Sequence, residues 1–428
     1  MAVKVCKFGG TSMADGTVMA QVRKIIFSDK DRRYIVVSAP GKRYSGDIKI
    51  TDALYECYKE VVASGSCSAA FSIIRSRFNS IVRELGLDFD INSILDETER
   101  RIDEEKSEDF TASRGEYLSA RVMAEVLDAK FIDAADVIFF DEDGTYNAEK
   151  SDKAISEALR GAERAVFPGF YGKGTDGKVK TFSRGGSDIS GAIVARAVNA
   201  TVYENWTDVS GFLACDPRIV DSPRRIKALS YKELRELSYM GANVLHSESI
   251  FPVRKANIPI HIKNQPSLYY TPSGNIVTGI AGKKDFTVIF IEKSLMNYQI
   301  GFVRKVLSVL ERAGVPVEHI PSGIDTMSVV IESAALKDGK LEVILQGIKD
   351  AVAPDTLRVT ENIALIATVG HGMSSSVGTS ARLFKAMADA EINVKMIDQG
   401  SSELNIIVGV KNEDCEKCIR AIYREFFK

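Results

Sequence analysis

The sequence predicts an α/β protein in which a three-layer domain with a mainly parallel central sheet is followed by two smaller α/β units. In the first two-thirds of the chain, short β-rich runs alternate with helical patterns, which is typical of a sheet covered by helices. The last third repeats itself at a spacing of 77 residues, for example between Gly301 and Gly378. These two observations predict a large domain over 1–285 and small units over 286–361 and 362–428.

The pattern of apolar residues predicts the individual strands and helices. The run 3–8 alternates apolar and polar side chains and ends at Gly9 and Gly10, whereas the run 34–37 is apolar throughout. Continuous apolar runs of this length are typical of strands buried on both faces of a parallel sheet. The same reasoning predicts helices near 18–26, 52–63, 69–85, 91–105 and 112–127, and further strands near 137–140, 164–167, 200–203 and 258–262.

The repeat predicts two units of one kind. Ile320 and Gly323 in the first copy match Ile397 and Gly400 in the second, and each copy has the order strand, helix, strand, strand, helix. Two copies are too few for an open solenoid, which needs about three or more. We therefore expect a pair of α/β sandwiches that pack on each other, an arrangement in which ligand sites often lie at the interface.

Composition and charge exclude several classes of protein. The chain has 428 residues, 45% of them hydrophobic and 27% charged, which is ordinary for a globular protein. Its 56 Lys and Arg residues nearly balance 58 Asp and Glu residues, so neither nucleic acid nor a membrane surface is an expected partner. No apolar run approaches the ~18 residues of a spanning helix. With no evident signal peptide and only six cysteines, we expect reduced thiols and a cytoplasmic location.

The first cluster of residues suited to holding an anion is 7–12. It sets Lys7 at the end of a buried strand and follows it with Gly9 and Gly10, whose backbone N–H groups can approach an anion closely. The cluster matches neither the P-loop nor the dinucleotide-binding pattern. Taken alone it is a weak signal, because most Gly-Gly loops are plain turns.

The second cluster is 182–188, where Arg184 and two glycines precede a predicted helix that begins near Ser187 or Asp188. An arginine beside a helix N-terminus suits a carboxylate or a phosphate, although a capped helix alone would explain Ser187.

The third cluster runs from 205 to 218 and includes Trp206, Asp208 and Arg218. Aromatic, acidic and arginine side chains in one segment could hold a purine ring and its phosphates, but an Asp-Pro-Arg turn is more often structural.

Six motifs, taken in order, resemble those of one family. They lie at 7–12, 113–116, 184–188, 206–209, 216–218 and 241–246. Together they closely resemble the aspartokinases, the ATP-dependent aspartate kinases of the amino-acid kinase family. The tandem repeat resembles the paired, ferredoxin-like ACT regulatory domains of that family, so that the resemblance covers essentially the whole chain.

The resemblance implies transfer of the γ-phosphoryl group of ATP to the side-chain carboxylate of L-aspartate, which forms 4-phospho-L-aspartate at the start of aspartate-family amino-acid biosynthesis. It implies catalytic roles for Lys7 and Asp188, of which Asp188 orients the lysine. It also implies that Arg184 holds the α-carboxylate of aspartate and that Glu116 accepts hydrogen bonds from the α-ammonium. Further substrate positions implied by the resemblance are Ser38, Thr51, Gly186 and Ser187.

The resemblance also implies a nucleotide site that takes ATP with Mg²⁺. The chain departs from the family at two of its positions, with Asn243 where many relatives carry lysine and Leu213 where some carry tyrosine. No dedicated metal cage is evident, which suits a metal held mainly by phosphates and water. The implied nucleotide positions are Lys7, Phe8, Gly9, Gly10, Thr207, Asp208, Leu213, Asp216, Arg218, Asn243 and Val244.

Regulation and assembly are implied by the ACT units. Met296, Val317, Glu318 and Ser322 match the family's effector-contacting stretch, so an amino-acid inhibitor is expected, lysine before threonine. ACT units generally pair across subunits, which implies a homodimer or a dimer of dimers. Two alternatives remain open from the sequence: another acid kinase of the same fold, such as an N-acetylglutamate or glutamate 5-kinase, or a non-catalytic amino-acid sensor.

Overall fold

The computed structural model of the chain describes residues 2–182, 185–207, 212–226, 229–241, 251–263 and 276–427. By its internal contacts the chain divides into two compact units, the first formed by 1–211 with 244–269 and the second by 212–243 with 270–428. Residues 212–243 precede the predicted boundary at 285 but join the second unit, because they pair with strands that follow: the Ile280 N–H donates to the Ala214 carbonyl at 2.8 Å. The boundaries at 285 and 361 stay predictions.

The first unit alternates strands and helices as the sequence predicts, except that a short helix occupies the start of the strand predicted near 137–140. Its elements are β1 (Lys4–Phe8), α1 (Gly16–Phe27), β2 (Arg32–Val37), α2 (Ile50–Ser64), α3 (Ser68–Leu85), α4 (Ile91–Glu105), α5 (Glu108–Leu127), β3 (Lys130–Phe131), α6 (Ala134–Val137), α7 (Ala148–Ala158), β4 (Ala165–Pro168), β5 (Tyr171–Lys173), β6 (Val179–Thr181), α8 (Gly186–Ala197), β7 (Val202–Trp206), α10 (Phe251–Lys255) and β8 (Ile260–Lys263).

A six-stranded sheet in the order β3-β4-β2-β1-β7-β8 forms the middle of the first unit, and all of its pairs are parallel. Successive side chains of a strand point to opposite faces. Accordingly, Cys6 and Phe8 join the apolar core formed with α1–α5, whereas Lys7 reaches Asp188 in α8 on the other face. Helices therefore cover both faces, which confirms the three-layer fold.

A buried acid lies on the α1–α5 face of this sheet. The Glu204 carboxylate is 1% exposed and pairs with Arg32 at 2.8 Å and Lys263 at 2.9 Å. It also accepts a hydrogen bond from the Trp206 indole at 3.0 Å. Burial alone would raise the pKa of Glu204, but the hydrogen bonds from the two cations outweigh it and hold the pKa below its ordinary value.

The second unit contains α9 (Tyr231–Tyr239) and the two copies of the repeat. The first copy forms β9 (Gly279–Glu292), α11 (Phe302–Arg312), β10 (Thr326–Glu332) and α12 (Lys340–Val352). The second copy forms β11 (Thr356–Val369), α13 (Thr379–Asp389), β12 (Met396–Asp398), β13 (Asn405–Lys411) and α14 (Cys415–Phe426). In the first copy, the predicted second strand is reduced to the isolated bridges His319–Val330 and Ser322–Met327.

The two copies share one antiparallel sheet, in the order β10-β9-β11-β13-β12, rather than forming two separate sandwiches. The long strands β9 and β11 join them, because each is long enough to pair within its own copy and across to the other. Each helix pair covers its own half of the sheet with a separate apolar core. Leu237 and Met240 join a third core that includes Phe286, Val330 and Ile363.

Two further findings concern the chain as a whole. All six cysteines are buried free thiols. Across the described ranges, no helix combines the length and the apolar character needed to cross a membrane.

We expect Glu204→Ala to lower the free energy of unfolding by about 3 kcal/mol or more, because it leaves the buried Arg32 guanidinium without its counter-charge. Chemical denaturation of the purified variant measures this change. The matched control is Glu56→Ala, which removes an exposed pair with Lys59 and should cost under about 0.5 kcal/mol. Equal effects of the two substitutions would contradict a stabilising role for the buried cluster.

Candidate functional site

The sheet and α8 bring together the two residues expected to be catalytic. Lys7 lies near the end of β1 and Asp188 in the first turn of α8, and the ammonium nitrogen lies 2.6 Å from the Asp188 Oδ1 atom. The two side chains are only 10% and 15% exposed. A largely buried pair of this kind holds a positive charge in a defined place at the end of the sheet.

The glycine turn after β1 is held by backbone contacts that leave little room for a side chain at Gly10 or Gly41. The Gly41 N–H donates to the Gly10 carbonyl at 2.8 Å, and a Cβ on Gly41 would lie 2.8 Å from the Gly10 carbonyl carbon. The Gly9 N–H donates to the Trp206 carbonyl at 3.1 Å. Phe8 stacks on Trp206, with ring centroids 5.7 Å apart. The turn is thus fixed on both sides, with the Lys7 ammonium 3.7 Å from where a Gly9 Cβ would lie.

The N-terminus of α8 is equally crowded. Gly185 has φ 60°, a left-handed conformation that favours glycine, and a Cβ on Gly186 would lie 2.6 Å from the Phe170 ring. Ser187 is half-buried, and its own Cβ lies 2.7 Å from where a Cβ on Gly169 would stand. These close approaches set the direction of the first turn of α8, which carries Asp188.

Three of the expected substrate positions surround the loop that follows β2. Ser38 is half-buried and its N–H donates to the Phe8 carbonyl at 3.1 Å. Thr51 lies in the first turn of α2, whose start is tied to the loop by a 3.1 Å bond from the Ile50 N–H to the Pro40 carbonyl. Glu116 in α5 is 6% exposed and is hydrogen-bonded to the backbone of the same loop at position 39.

Glu116 is a buried carboxyl group with an unused oxygen. Its Oε2 atom has no hydrogen-bond partner among the described residues. Burial raises its pKa to about 8, against the lowering effect of the bonded backbone and of the charges on Arg114 and Lys7. Such a group is suited to receive a cation, because a neighbouring positive charge would favour its ionised form.

The nucleotide positions of the first unit are described only in part. Thr207 follows β7, and its N–H donates to the Lys263 carbonyl at 2.9 Å. Four expected site residues lie outside the described residues: Arg184, Asp208, Asn243 and Val244.

Leu213, Asp216 and Arg218 lie in the second unit. Leu213 forms an isolated bridge with Arg225. The exposed Arg218 guanidinium pairs with the Asp216 carboxylate at 2.6 Å and lowers the pKa of Asp216. The charges of Asp216 and Arg218 therefore neutralise each other within the turn. This pairing is what we expect if the Asp-Pro-Arg segment has a structural role.

The four expected effector residues lie in the first copy of the repeat. Met296 is buried, Val317 and Glu318 are half-buried, and Ser322 is exposed. The Glu318 carboxylate accepts a hydrogen bond from the Tyr239 hydroxyl. Burial, together with the negative charge of Glu332, raises the pKa of Glu318.

A resident metal ion needs several ligating side chains close together. Among the residues that the structure describes, no three His, Cys, Asp or Glu side chains converge as metal ligands.

The sequence reasoning assigned no role to Tyr203, Glu204 or Asn205, although their side chains surround the Lys7–Asp188 pair and the Trp206 ring. A signal was present, since Glu204 and Asn205 are two polar residues in the middle of a strand within a buried sheet. The sequence does not show that these residues lie beside Lys7. The parallel pairing of β1 with β7, which sets Asn205 opposite Lys7, shows it.

Comparisons with known proteins agree with this fold and site. The model of the amino acid kinase family matches residues 2–264, and a model of the ACT domain matches residues 366–426. The chain therefore falls in the class of amino-acid kinases that carry ACT regulatory domains.

Individual relatives narrow the class. Aspartokinase 3 of Bacillus subtilis is 37% identical over 99% of both chains. The aspartate kinase of Clostridium acetobutylicum is 49% identical, with a TM-score of 0.90 over 99% of this chain and 100% of that one. Escherichia coli aspartokinase III, solved with aspartate and ADP, shares the fold at 24% identity and a TM-score of 0.79 over 100% of both chains. The chain belongs to the aspartokinase family, and it is an aspartate kinase.

We expect the stability of the protein to fall between pH 6 and pH 8 because of Glu116. A carboxyl group whose pKa is higher in the native state keeps a proton there that the unfolded chain releases, so rising pH favours unfolding up to about pH 8. Glu116→Gln should remove about 2 kcal/mol of this decline in the free energy of unfolding.

Denaturation curves at the two pH values test the expectation. Glu125→Gln, on an exposed position of the same helix, is the control and should keep the decline. The same decline in Glu116→Gln as in the unmodified protein would show that Glu116 is already ionised at pH 6.

Proposed function

We propose that Lys7 and Asp188, with the backbone of the Gly9–Gly10 turn, carry the phosphoryl transfer from ATP to the side-chain carboxylate of aspartate. The observation that supports this most is the 2.6 Å contact between the Lys7 ammonium and Asp188, beside a turn in which a Cβ on Gly10 would lie 3.0 Å from the Ala39 carbonyl oxygen. Preorganised cations and N–H groups stabilise the charge that develops in such a transfer.

The acceptor needs no strong base in this reaction. A substrate carboxylate is already ionised at neutral pH, so catalysis rests on alignment and on charge neutralisation. An ammonium group has three N–H donors. Asp188 takes one of them, and the others can face the phosphoryl oxygens.

Glu116 supplies the acceptor for the substrate ammonium in this proposal. The group is buried and has one unpartnered oxygen near the loop that carries Ser38, so an arriving ammonium would satisfy a hydrogen bond and a charge together. Arg184 would hold the α-carboxylate, and Thr51, Gly186 and Ser187 would complete the substrate site. An N-acetylated substrate has no ammonium for Glu116, which disfavours an N-acetylglutamate kinase. The similarity to named aspartokinases over the full chain supports a catalytic function rather than that of a non-catalytic amino-acid sensor.

The nucleotide would lie along the turn after β1 and the end of β7. Phe8, Gly9, Gly10 and Thr207 contribute from the described part of the first unit. Asp208 and Val244 complete the proposed set within this unit, whereas the roles of Leu213, Asp216, Arg218 and Asn243 stay predictions from the sequence. Mg²⁺ would be held mainly by the phosphates and water.

We expect Lys7→Ala to lower turnover by at least about 100-fold, because it removes the cation aligned with the transferring group. A coupled assay of aspartate-dependent ADP formation measures the loss. Lys4→Ala is the matched control, since Lys4 lies in the same strand but pairs with Asp29, away from Asp188; its turnover should stay within about twofold. Normal turnover in Lys7→Ala would exclude the proposed site.

The ACT units are regulatory, and we propose lysine rather than threonine as the inhibitor. Glu318 is a half-buried acid in the expected effector stretch. A carboxylate there suits the second ammonium of lysine, whereas the threonine side chain carries no charge. Met296, Val317 and Ser322 would line the rest of the site. Escherichia coli aspartokinase III has been solved with lysine and aspartate, which is consistent with this choice.

We expect lysine, but not threonine, to inhibit the enzyme, and Glu318→Gln to raise the half-inhibitory lysine concentration by about 10-fold through loss of one charge pair. The assay is titrated with lysine, threonine and both together. Glu342→Gln, on an exposed turn of α12, should leave inhibition unchanged. Inhibition by threonine alone would overturn the choice of effector.

We further propose a homodimer or a dimer of dimers formed through the repeat units. Leu295, Tyr298, Ile300 and Ile324 in the first copy expose 63%, 77%, 99% and 71% of their surface. Large apolar side chains that are exposed in a single copy can become buried when copies associate. A cytoplasmic location is also proposed, and the six buried free thiols support it.

A further inference from the structure

A buried amide lies beside the Lys7–Asp188 pair. Asn205 in β7 is 2% exposed, and the parallel register sets it directly opposite Lys7. Its Nδ2 atom donates to the Asp188 Oδ1 atom at 2.9 Å. That is the same oxygen that the Lys7 ammonium contacts at 2.6 Å. The Asp188 carboxylate is thus held by donors from two neighbouring strands.

We propose that Asn205 is a positioning residue for phosphoryl transfer, which holds the Asp188 carboxylate so that the Lys7 ammonium can be shared with the transferring group. This inference rests on the roles proposed above for Lys7 and Asp188. Asn205 acts through Asp188 and is assigned no contact with either substrate.

Competition for one oxygen explains how the amide would act. When a carboxylate oxygen already accepts a hydrogen bond from a neutral amide, its interaction with a neighbouring ammonium is weaker. The ammonium is then freer to donate to another group. When Lys7 turns toward the phosphoryl group, the amide keeps the carboxylate hydrogen-bonded, so that a buried charge is not left without a partner. An amide does not ionise, so it donates this bond over the whole working pH range.

The same strand also holds the backbone of Asp188. The Tyr203 hydroxyl donates to the Asp188 carbonyl at 3.1 Å. A Cβ on Gly191 would lie 2.5 Å from that hydroxyl oxygen, so α8 approaches β7 closely here. Tyr203 and Asn205 are two residues apart and share one face of β7. One face of this strand thus fixes both the main chain and the side chain of Asp188.

Stability alone does not account for an asparagine at this position. Its Oδ1 atom is buried and has no hydrogen-bond partner within the described residues. An unsatisfied buried polar atom destabilises a fold, and β-branched apolar residues are the ordinary choice in a buried parallel strand. The donated bond to Asp188 is the interaction that distinguishes asparagine from them.

Two substitutions test the proposal. Asn205→Ala removes the donor and should lower kcat by about 10- to 100-fold, which corresponds to one hydrogen bond to a charged group. The KM values for aspartate and ATP should change less than about twofold, since no substrate contact is lost. Thermal unfolding of the variant checks that it is folded.

Asn205→Asp gives a signature that loss of packing would not produce. The introduced carboxylate has nearly the shape of the amide but repels Asp188, and two adjacent carboxylates retain a shared proton more readily than one. Once that proton binds, the introduced group can donate to Asp188 as the amide does. The ratio of its kcat to that of the unmodified enzyme should therefore rise at least about fivefold from pH 8 to pH 6.

The control is Asn92→Asp, the same change at an exposed position of α4, whose ratio should stay flat over that range. A flat ratio in Asn205→Asp, or an unchanged kcat in Asn205→Ala, would overturn the inference. If Asn205→Asp does not fold, the split between kcat and KM in Asn205→Ala decides. Loss of activity in Lys7→Ala together with full activity in Asn205→Ala would remove only this inference, whereas full activity in Lys7→Ala would remove the proposed function.

Discussion

The contact between the Lys7 ammonium and the Asp188 carboxylate is the interaction on which the proposed catalytic site depends. Two charges that are 10% and 15% exposed must be placed within hydrogen-bond distance by elements far apart in the chain. A buried pair tolerates little misplacement, because separating the partners leaves each charge uncompensated. The parallel register of β1 with β7 and the tight start of α8 are the structural conditions for this contact.

Two buried glutamates show how the surroundings of a carboxyl group decide its chemistry. Glu204 is as thoroughly buried as Glu116, but two cations hold it ionised and it serves as an internal counter-charge. Glu116 has an unpartnered oxygen and a pKa raised to about 8 by burial. The first group is satisfied by the fold itself. The second has an oxygen that the described residues leave without a partner, which supports the proposal that it receives the substrate ammonium.

In the second unit, the sharing of strands makes one sheet of the two copies. The strands β9 and β11 pair with each other along most of their length. A displacement of the strands in one copy would therefore also displace the strands of the other copy. An additional side-chain contact, 2.7 Å between the His319 Nδ1 atom in the first copy and the Asp398 carboxylate in the second, joins the copies besides the strand pairing. An effector that acts on the first copy therefore has a continuous structural connection to the second.

The sequence by itself determined the alternation of strands and helices, the repeat, and the family motifs, because apolar periodicity and glycine positions are local properties. Lys7, Asp188 and Glu116 could be selected in this way. It did not determine that residues 212–243 pack with the second unit, that the copies share a sheet, or that Asn205 lies opposite Lys7. Those facts depend on strand order and register between distant segments, which no local pattern encodes, so only the tertiary structure could decide them.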